Sequence, residues 1–126
     1  MGDAAAAERP LVLLVEDEPL IRWSAEAMLA QAGFAVLSAT NADEAVALLT
    51  RHRHIRVVFS DVAMPGTQDG AALVLMTRAR WPDIGIVLTS GHDRTLPPSL
   101  HDRARFLSKP YRDTDLIEAI RSVMAG

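Results

Sequence analysis

The chain has 126 residues, 49% of them hydrophobic, and a formal net charge of −3. That suits one compact domain and leaves no excess basic charge to track a phosphate backbone, so nucleic-acid binding is not expected. With no cysteine, disulfides, thiolate chemistry and Cys-based zinc sites are excluded. No apolar run approaches the ~20 residues that span a bilayer, and the composition suits a reducing cytoplasm.

Residues 1–9 are Ala-rich and lack a basic region followed by an apolar one. They predict a flexible N-terminal segment and no signal peptide, ahead of one folded domain over residues 10–126. Leu11–Val15 is the first of five apolar, branched-rich runs. The others are Phe34–Ser38, Val57–Ser60, Ile84–Thr89 and Arg105–Ser108. Continuous apolar runs of this length suit strands of a parallel sheet covered on both faces.

Between the runs lie helical patterns. Pro19, placed at a first helical position, opens a helix to Ala32 whose core stripe is Ile21, Ala25, Met28, Leu29 and Ala32. Gly33 stops it. Asn41 caps the next, with Glu44 as its capping-box partner and Ala45, Val46, Leu48 and Leu49 as its stripe. A third runs from Gly70 to Arg80 and ends before Trp81-Pro82. The last begins after Asp113 or Thr114 and buries Leu116, Ile117, Ile120, Val123 and Met124. The stretch from Gly91 to Ala104 holds Pro97-Pro98 and little periodicity, so a loop or a shortened, irregular helix is expected there. Strand–helix alternation implies an α/β fold, doubly wound, with right-handed crossovers.

In such a fold every parallel strand ends on one edge, and ligands bind there. Glu16, Asp17 and Glu18 follow the first strand, Asp61 ends the third, Thr89 and Ser90 end the fourth, and Lys109 follows the fifth. Each alone has a plain explanation as a cap or a solvated residue. Their joint placement on one rim does not. Two carboxylates ~4 Å apart repel by about 4 kcal/mol at an effective dielectric of ~20. One lysine is too little for three anions, and a hard divalent cation is the natural remedy. An aspartate beside such a cation can attack phosphorus and form an acyl phosphate.

The segments Leu13-Leu14-Val15-Glu16-Asp17-Glu18, Val57-Val58-Phe59-Ser60-Asp61-Val62-Ala63-Met64-Pro65-Gly66, Asp69-Gly70, Leu88-Thr89-Ser90-Gly91 and Ser108-Lys109-Pro110-Tyr111 resemble the receiver domains of two-component response regulators. The resemblance covers about residues 10 to 125. It implies a CheY-like, flavodoxin-like five-stranded parallel sheet in the order 2-1-3-4-5. It implies Asp61 as phospho-acceptor and Glu16, Asp17, Asp61 and the backbone carbonyl of Ala63 as ligands of Mg2+ or Mn2+. Lys109 would contact the phosphoryl group, Ser90 (or, less favoured, Thr89) would be the switch hydroxyl, and Phe106 would be the rotating aromatic. It also implies a cis Lys109–Pro110 bond that turns Lys109 toward Asp61. A histidine kinase or histidine phosphotransfer protein would be the donor. It would dock on a rim bordered by Leu20, Trp23, Pro65 and Tyr111, and a homodimer is compatible with this reading.

The sequence also departs from the family. Glu16 stands where the acidic pair is usually Asp-Asp. Ala63 has no side chain to tune attack of water on an acyl phosphate. Phe106 lacks a tyrosine hydroxyl. Ala63 also argues against an Asp-nucleophile phosphatase, which needs a second acid two residues after the nucleophile. No turnover of an external substrate is therefore expected. A flavin-binding module of the same sheet order would need a Ser/Thr/Gly-rich phosphate loop where this chain has Glu16-Asp17-Glu18-Pro19. A pseudo-receiver that takes no phosphate is the remaining alternative, and the full set of Glu16, Asp17, Asp61, Ser90 and Lys109 argues against it. His52 and His54, beside Arg51 and Arg53, read as a solvated basic turn without a third metal ligand. Trp23 and Leu75 face away from their helices' core stripes and should be exposed.

Overall fold

This computed structural model describes residues 9–61, 70–90 and 103–125. The elements follow in strict alternation until the last strand. They are β1 (Leu11–Val15), α1 (Pro19–Gln31), β2 (Ala35–Ala39), α2 (Ala42–Arg51), β3 (Ile55–Asp61), α3 (Gly70–Arg80), β4 (Gly85–Ser90), β5 (Ala104–Ser108) and α4 (Asp113–Ala125). The strands form one parallel sheet in the order β2-β1-β3-β4-β5, the order expected from the resemblance. The expected irregular helix between β4 and β5, and the flexible segment over residues 1–8, lie outside the described residues. Among the described residues no helix is long and apolar enough to cross a membrane.

The central strands are apolar at every position because both sheet faces are covered. Val12, Leu14, Val57, Phe59 and Val87 pack on one face with Leu29 of α1 and Leu116, Ile120 and Val123 of α4. Leu13, Val15 and Val58 pack on the other with Ala45 and Leu49 of α2 and Leu73 of α3. Ile86 and Leu88 meet Val74 and Ala104 in a smaller cluster, with Phe106 against it. The two faces alternate along each strand, as pleating requires.

Local signals set the element ends. Gly33 closes α1 at φ +100°, a conformation glycine adopts without the steric cost of a Cβ. Asn41 accepts a hydrogen bond from the Glu44 N–H at 2.8 Å, as an N-cap should. The return bond of the capping box is displaced by one residue. Glu44 Oε1 accepts from the N–H and the hydroxyl of Thr40, both at 2.7 Å, because a hydroxyl beside the amide gives the carboxylate two donors. β3 runs longer than the apolar pattern predicts, from Ile55 to Asp61, and Ile55 pairs with Leu11 across a register shift that passes over exposed Arg56.

One core assignment is corrected. Helical periodicity places Ile21 beneath α1, but it is 51% exposed. The first turn of α1 faces an open cavity between helix and sheet, with Leu14 and Phe59 on its far wall. Ile21 instead lines a cavity beside Asp61. Trp23 and Leu75 are exposed as expected, at 57% and 56%.

Candidate functional site

The topology brings the C-terminal ends of β1, β3, β4 and β5 to one edge. Asp61 is the last residue of β3 and pairs in register with Thr89 of β4. Lys109, just past β5, donates from Nζ to Asp61 Oδ2 at 2.5 Å. The Asp61 side chain is 15% exposed and that of Lys109 38%, so the pair faces an opening rather than the core. The Lys109–Pro110 bond is cis, as the resemblance implied. Beside the pair lies a cavity of about 440 Å3 walled by Glu16, Ile21, Phe59, Thr89 and Tyr111.

The acidic turn after β1 divides its duties. Glu16 is 8% exposed, the most enclosed carboxylate of the trio. Its Oε2 accepts from the Glu18 N–H at 3.0 Å. Burial, and then the negative charges of Asp17 and Asp61, push its carboxyl above the ordinary glutamate range, against the opposing pull of the Glu18 N–H. Asp17 is exposed. Glu18 is the N-cap of α1, its side chain accepting from the Leu20 N–H at 3.1 Å. Glu18 thus has a structural role that explains its presence on the rim.

Among the described residues no three acidic or histidine side chains form a group that could hold a metal ion. One oxygen of Glu16 is committed to the Glu18 N–H and one oxygen of Asp61 to Lys109. Ala63, expected to offer its carbonyl, lies outside the described residues, as do Met64 and Pro65. The donor set nonetheless has the right chemistry for a hard cation: carboxylate oxygens in mutual electrostatic contact, with one amine among them.

Both hydroxyl candidates end β4. Thr89 is 2% exposed and stands beside Asp61 in the ladder. Ser90 pairs with Ser108, one step closer to Lys109 along the chain, and its side chain is not among those described. Phe106 is half-buried and pairs with Leu88.

Two residues differ from the reading of the sequence. Tyr111, expected as an exposed docking residue, is half-buried. Its ring meets Phe59 edge-on at 6.4 Å and closes one side of the cavity. Burial, then the charges of Glu16, Asp61 and Asp113, push its phenol up to about 12. Arg22 has no role in the sequence motifs, yet its guanidinium donates to the Glu16 carbonyl at 3.2 Å and ties the acidic turn to α1. The available signal is an arginine on the first helix, six residues after Glu16, where one helical turn returns it to the rim.

The family model for the response regulator receiver domain matches residues 12–121. The chain is 33% identical to the DNA-binding transcriptional regulator NtrC of Salmonella typhimurium over 119 residues, which is 92% of this chain and 24% of that protein. It is 32% identical to Protein PilH of Pseudomonas aeruginosa over 119 residues, 91% of this chain and 98% of PilH. A response regulator receiver protein from Sinorhizobium medicae superposes with a TM-score of 0.83 at 25% identity, covering 95% of this chain and 98% of that one. The chain spans only 35%, 25% and 24% of the regulators AruR, DctD and NtrC that it matches. The flavin-binding and pseudo-receiver alternatives find no support in these likenesses. With its sheet order, its acidic rim and the lysine–aspartate pair in place, the chain belongs to the response regulator receiver domain family of two-component signalling.

Proposed function

We propose that Asp61 is the residue that accepts the phosphoryl group, from a phosphohistidine on a histidine kinase or histidine phosphotransfer protein. The observation that carries this reading is the Lys109 amine 2.5 Å from the Asp61 carboxylate, on the open edge of the sheet. An Asp61 oxygen forms the bond to phosphorus as the phosphorus–nitrogen bond to the donor imidazole breaks, and the imidazole leaves with the electron pair. Lys109 needs only to follow the charge from the carboxylate to the phosphoryl oxygens. Ser90, or Thr89 in second place, donates its hydroxyl to another phosphoryl oxygen. Phe106, midway along β5 and paired with Leu88, reports the change to the β4–β5 side. With Ala63 in place of an acid, loss of phosphate is slow and no external ester is turned over. Incubation with acetyl phosphate and Mg2+ followed by intact-mass measurement tests the proposal, and absence of any adduct overturns it.

Glu16, Asp17, Asp61 and the Ala63 carbonyl would hold Mg2+ or Mn2+, which supplies positive charge to the transferring phosphoryl oxygens when bound. Glu16 must give up the Glu18 N–H or use its second oxygen, so binding is expected to be weak. Free Mg2+ at ten times its Kd stabilises a fold by about 1.4 kcal/mol, which raises Tm by several degrees in a domain of this size. Glu16→Gln and Asp17→Asn each remove a negative charge and should shrink that shift. A Tm that ignores Mg2+ in wild type and variants alike would refute the cluster as a cation site.

The donor must reach Asp61, so it docks on the same rim. Leu20 is 70% exposed and Trp23 57%, both on the helix that opens at the acidic turn. Pro65 and Tyr111 complete the proposed surface, with Tyr111 contributing an edge rather than a free ring. Tryptophan is a favoured anchor at interfaces. Trp23→Ala is expected to slow transfer from the kinase roughly tenfold or more, the loss typical of such an anchor. Labelling by acetyl phosphate, which needs no docking surface, should stay near wild type. Equal loss with both donors would make Trp23 a structural residue, and no loss with either would remove it from the interface.

A further inference from the structure

A second concave site lies at the opposite edge of the sheet. The length of β3 alone, from Ile55 to Asp61, puts it about 20 Å from the acceptor. It is a cavity of about 440 Å3 floored by buried Ile55 and Ile84 and rimmed by Arg53, Arg56, Arg80 and Arg103, with His52, Trp81 and Asp83. The Arg80 guanidinium sits 4.5 Å from the centre of the Trp81 ring, held over its face. Arg103 occupies φ +58°, and its guanidinium donates to the Asp83 carbonyl at 2.9 Å, which holds it among the lining residues.

The plain explanation is that arginines neutralise helix C-termini. It accounts for part of the charge only. The two helices that end here, α2 and α3, contribute about −0.5 each. Four arginines less Asp83 give +3, counting histidine as neutral, and the two termini reduce this to about +2. Arg53, Arg56 and Arg103 belong to no helix, and among the described residues neither the Arg53 nor the Arg56 side chain has a hydrogen-bond or ion-pair partner. This positive excess stands in a chain whose net charge is −3. All the strong cations here are arginines, whose planar forks match phosphate oxygens. The concave shape and volume suit a small molecule better than a flat macromolecular surface.

We propose that this cavity binds a small phosphate-bearing polyanion, a di- or triphosphate, free or carried on a nucleoside. The guanidinium groups of Arg53, Arg56 and Arg103 hold the phosphates, and the Arg80–Trp81 stack forms one wall. The site is independent of Asp61 and uses none of its residues.

Trp81 reports on it directly. Only two tryptophans are present, so a Trp23→Phe background leaves Trp81 as the sole indole. Titration of that protein with sodium tripolyphosphate and with ATP, without divalent metal, should give saturable changes in Trp81 emission that weaken as salt rises. The double variant Arg53→Gln/Arg56→Gln should raise both Kd values tenfold or more, with its circular dichroism spectrum and Tm near those of the parent. Tighter binding of ATP than of tripolyphosphate identifies the nucleoside as part of the ligand, and equal binding assigns recognition to the phosphates alone. The proposal is overturned if millimolar probe gives no saturation or if the double variant binds as well as its parent. It is also overturned if single-stranded DNA or a polyglutamate peptide binds more tightly than tripolyphosphate at equal charge.

Discussion

Asp61→Asn is expected to eliminate the phosphoryl adduct that acetyl phosphate and Mg2+ form on the wild-type protein. The substitution keeps the shape of the side chain and removes what the reaction needs. A carboxylate oxygen carries charge and a free electron pair to phosphorus, whereas an amide oxygen is neutral and a poor nucleophile. The fold should survive. The Asp61 side chain sits at an open edge, and its partner Lys109 is 38% exposed and can turn to water. A pair whose lysine is open to solvent in this way is screened and is worth on the order of 1 kcal/mol. Loss of the Asp61 charge also relieves its repulsion of Glu16. Intact-mass spectra of both proteins, with circular dichroism as the check on folding, decide the matter. An Asp61→Asn protein that gains phosphate to the wild-type extent would place the acceptor elsewhere and undo the reading of Lys109 with it.

The sequence makes the sheet legible because every central strand is covered twice. Val12-Leu13-Leu14-Val15 and Val57-Val58-Phe59 are apolar at consecutive positions, and only a doubly covered parallel sheet needs that. With the strands placed, the rule that parallel strands end together puts Glu16, Asp61, Thr89 and Lys109 at one edge without any distance being known. Contacts that depend on side-chain direction are not legible. Helical periodicity puts Ile21 on the core stripe, and periodicity has no information on where a cavity opens between helix and sheet. Tyr111 reads as surface because it follows a Lys-Pro turn, and its packing against Phe59 is a contact across 52 residues of chain. The hydrogen bond from Arg22 to the Glu16 carbonyl is equally hidden, since a backbone acceptor leaves no mark on residue type. The basic cavity at the far edge is half visible. Arg51-His52-Arg53-His54 reads as a solvated turn, while Arg80 and Arg103 join it only through the sheet.

Gly85→Ala should destabilise the fold although it adds only one methyl group. Gly85 opens β4 and pairs with Val57 in the central part of the sheet. A Cβ built there would lie 2.6 Å from Val123 Cγ2, 2.8 Å from Val123 Cβ and 3.0 Å from the Val123 carbonyl oxygen. Those distances are too short for carbon, and the neighbour cannot simply swing away. Val123 is β-branched and stiff at χ1, it is 2% exposed, and its backbone belongs to α4. Relief therefore requires α4 to move off the sheet, which loosens the contacts of Leu116 and Ile120 with the same face. Overpacking of this kind costs about 1–3 kcal/mol, and denaturant midpoints of the two proteins measure it directly. Val123→Ala removes the clashing methyls at the cost of a small cavity. In the double variant the methyl added at position 85 fills part of that space, so the combined loss should be smaller than the sum of the single losses by more than about 0.5 kcal/mol. Strict additivity, or a Gly85→Ala midpoint equal to wild type, would mean that the space between β4 and α4 accommodates a methyl group and that glycine is not required there.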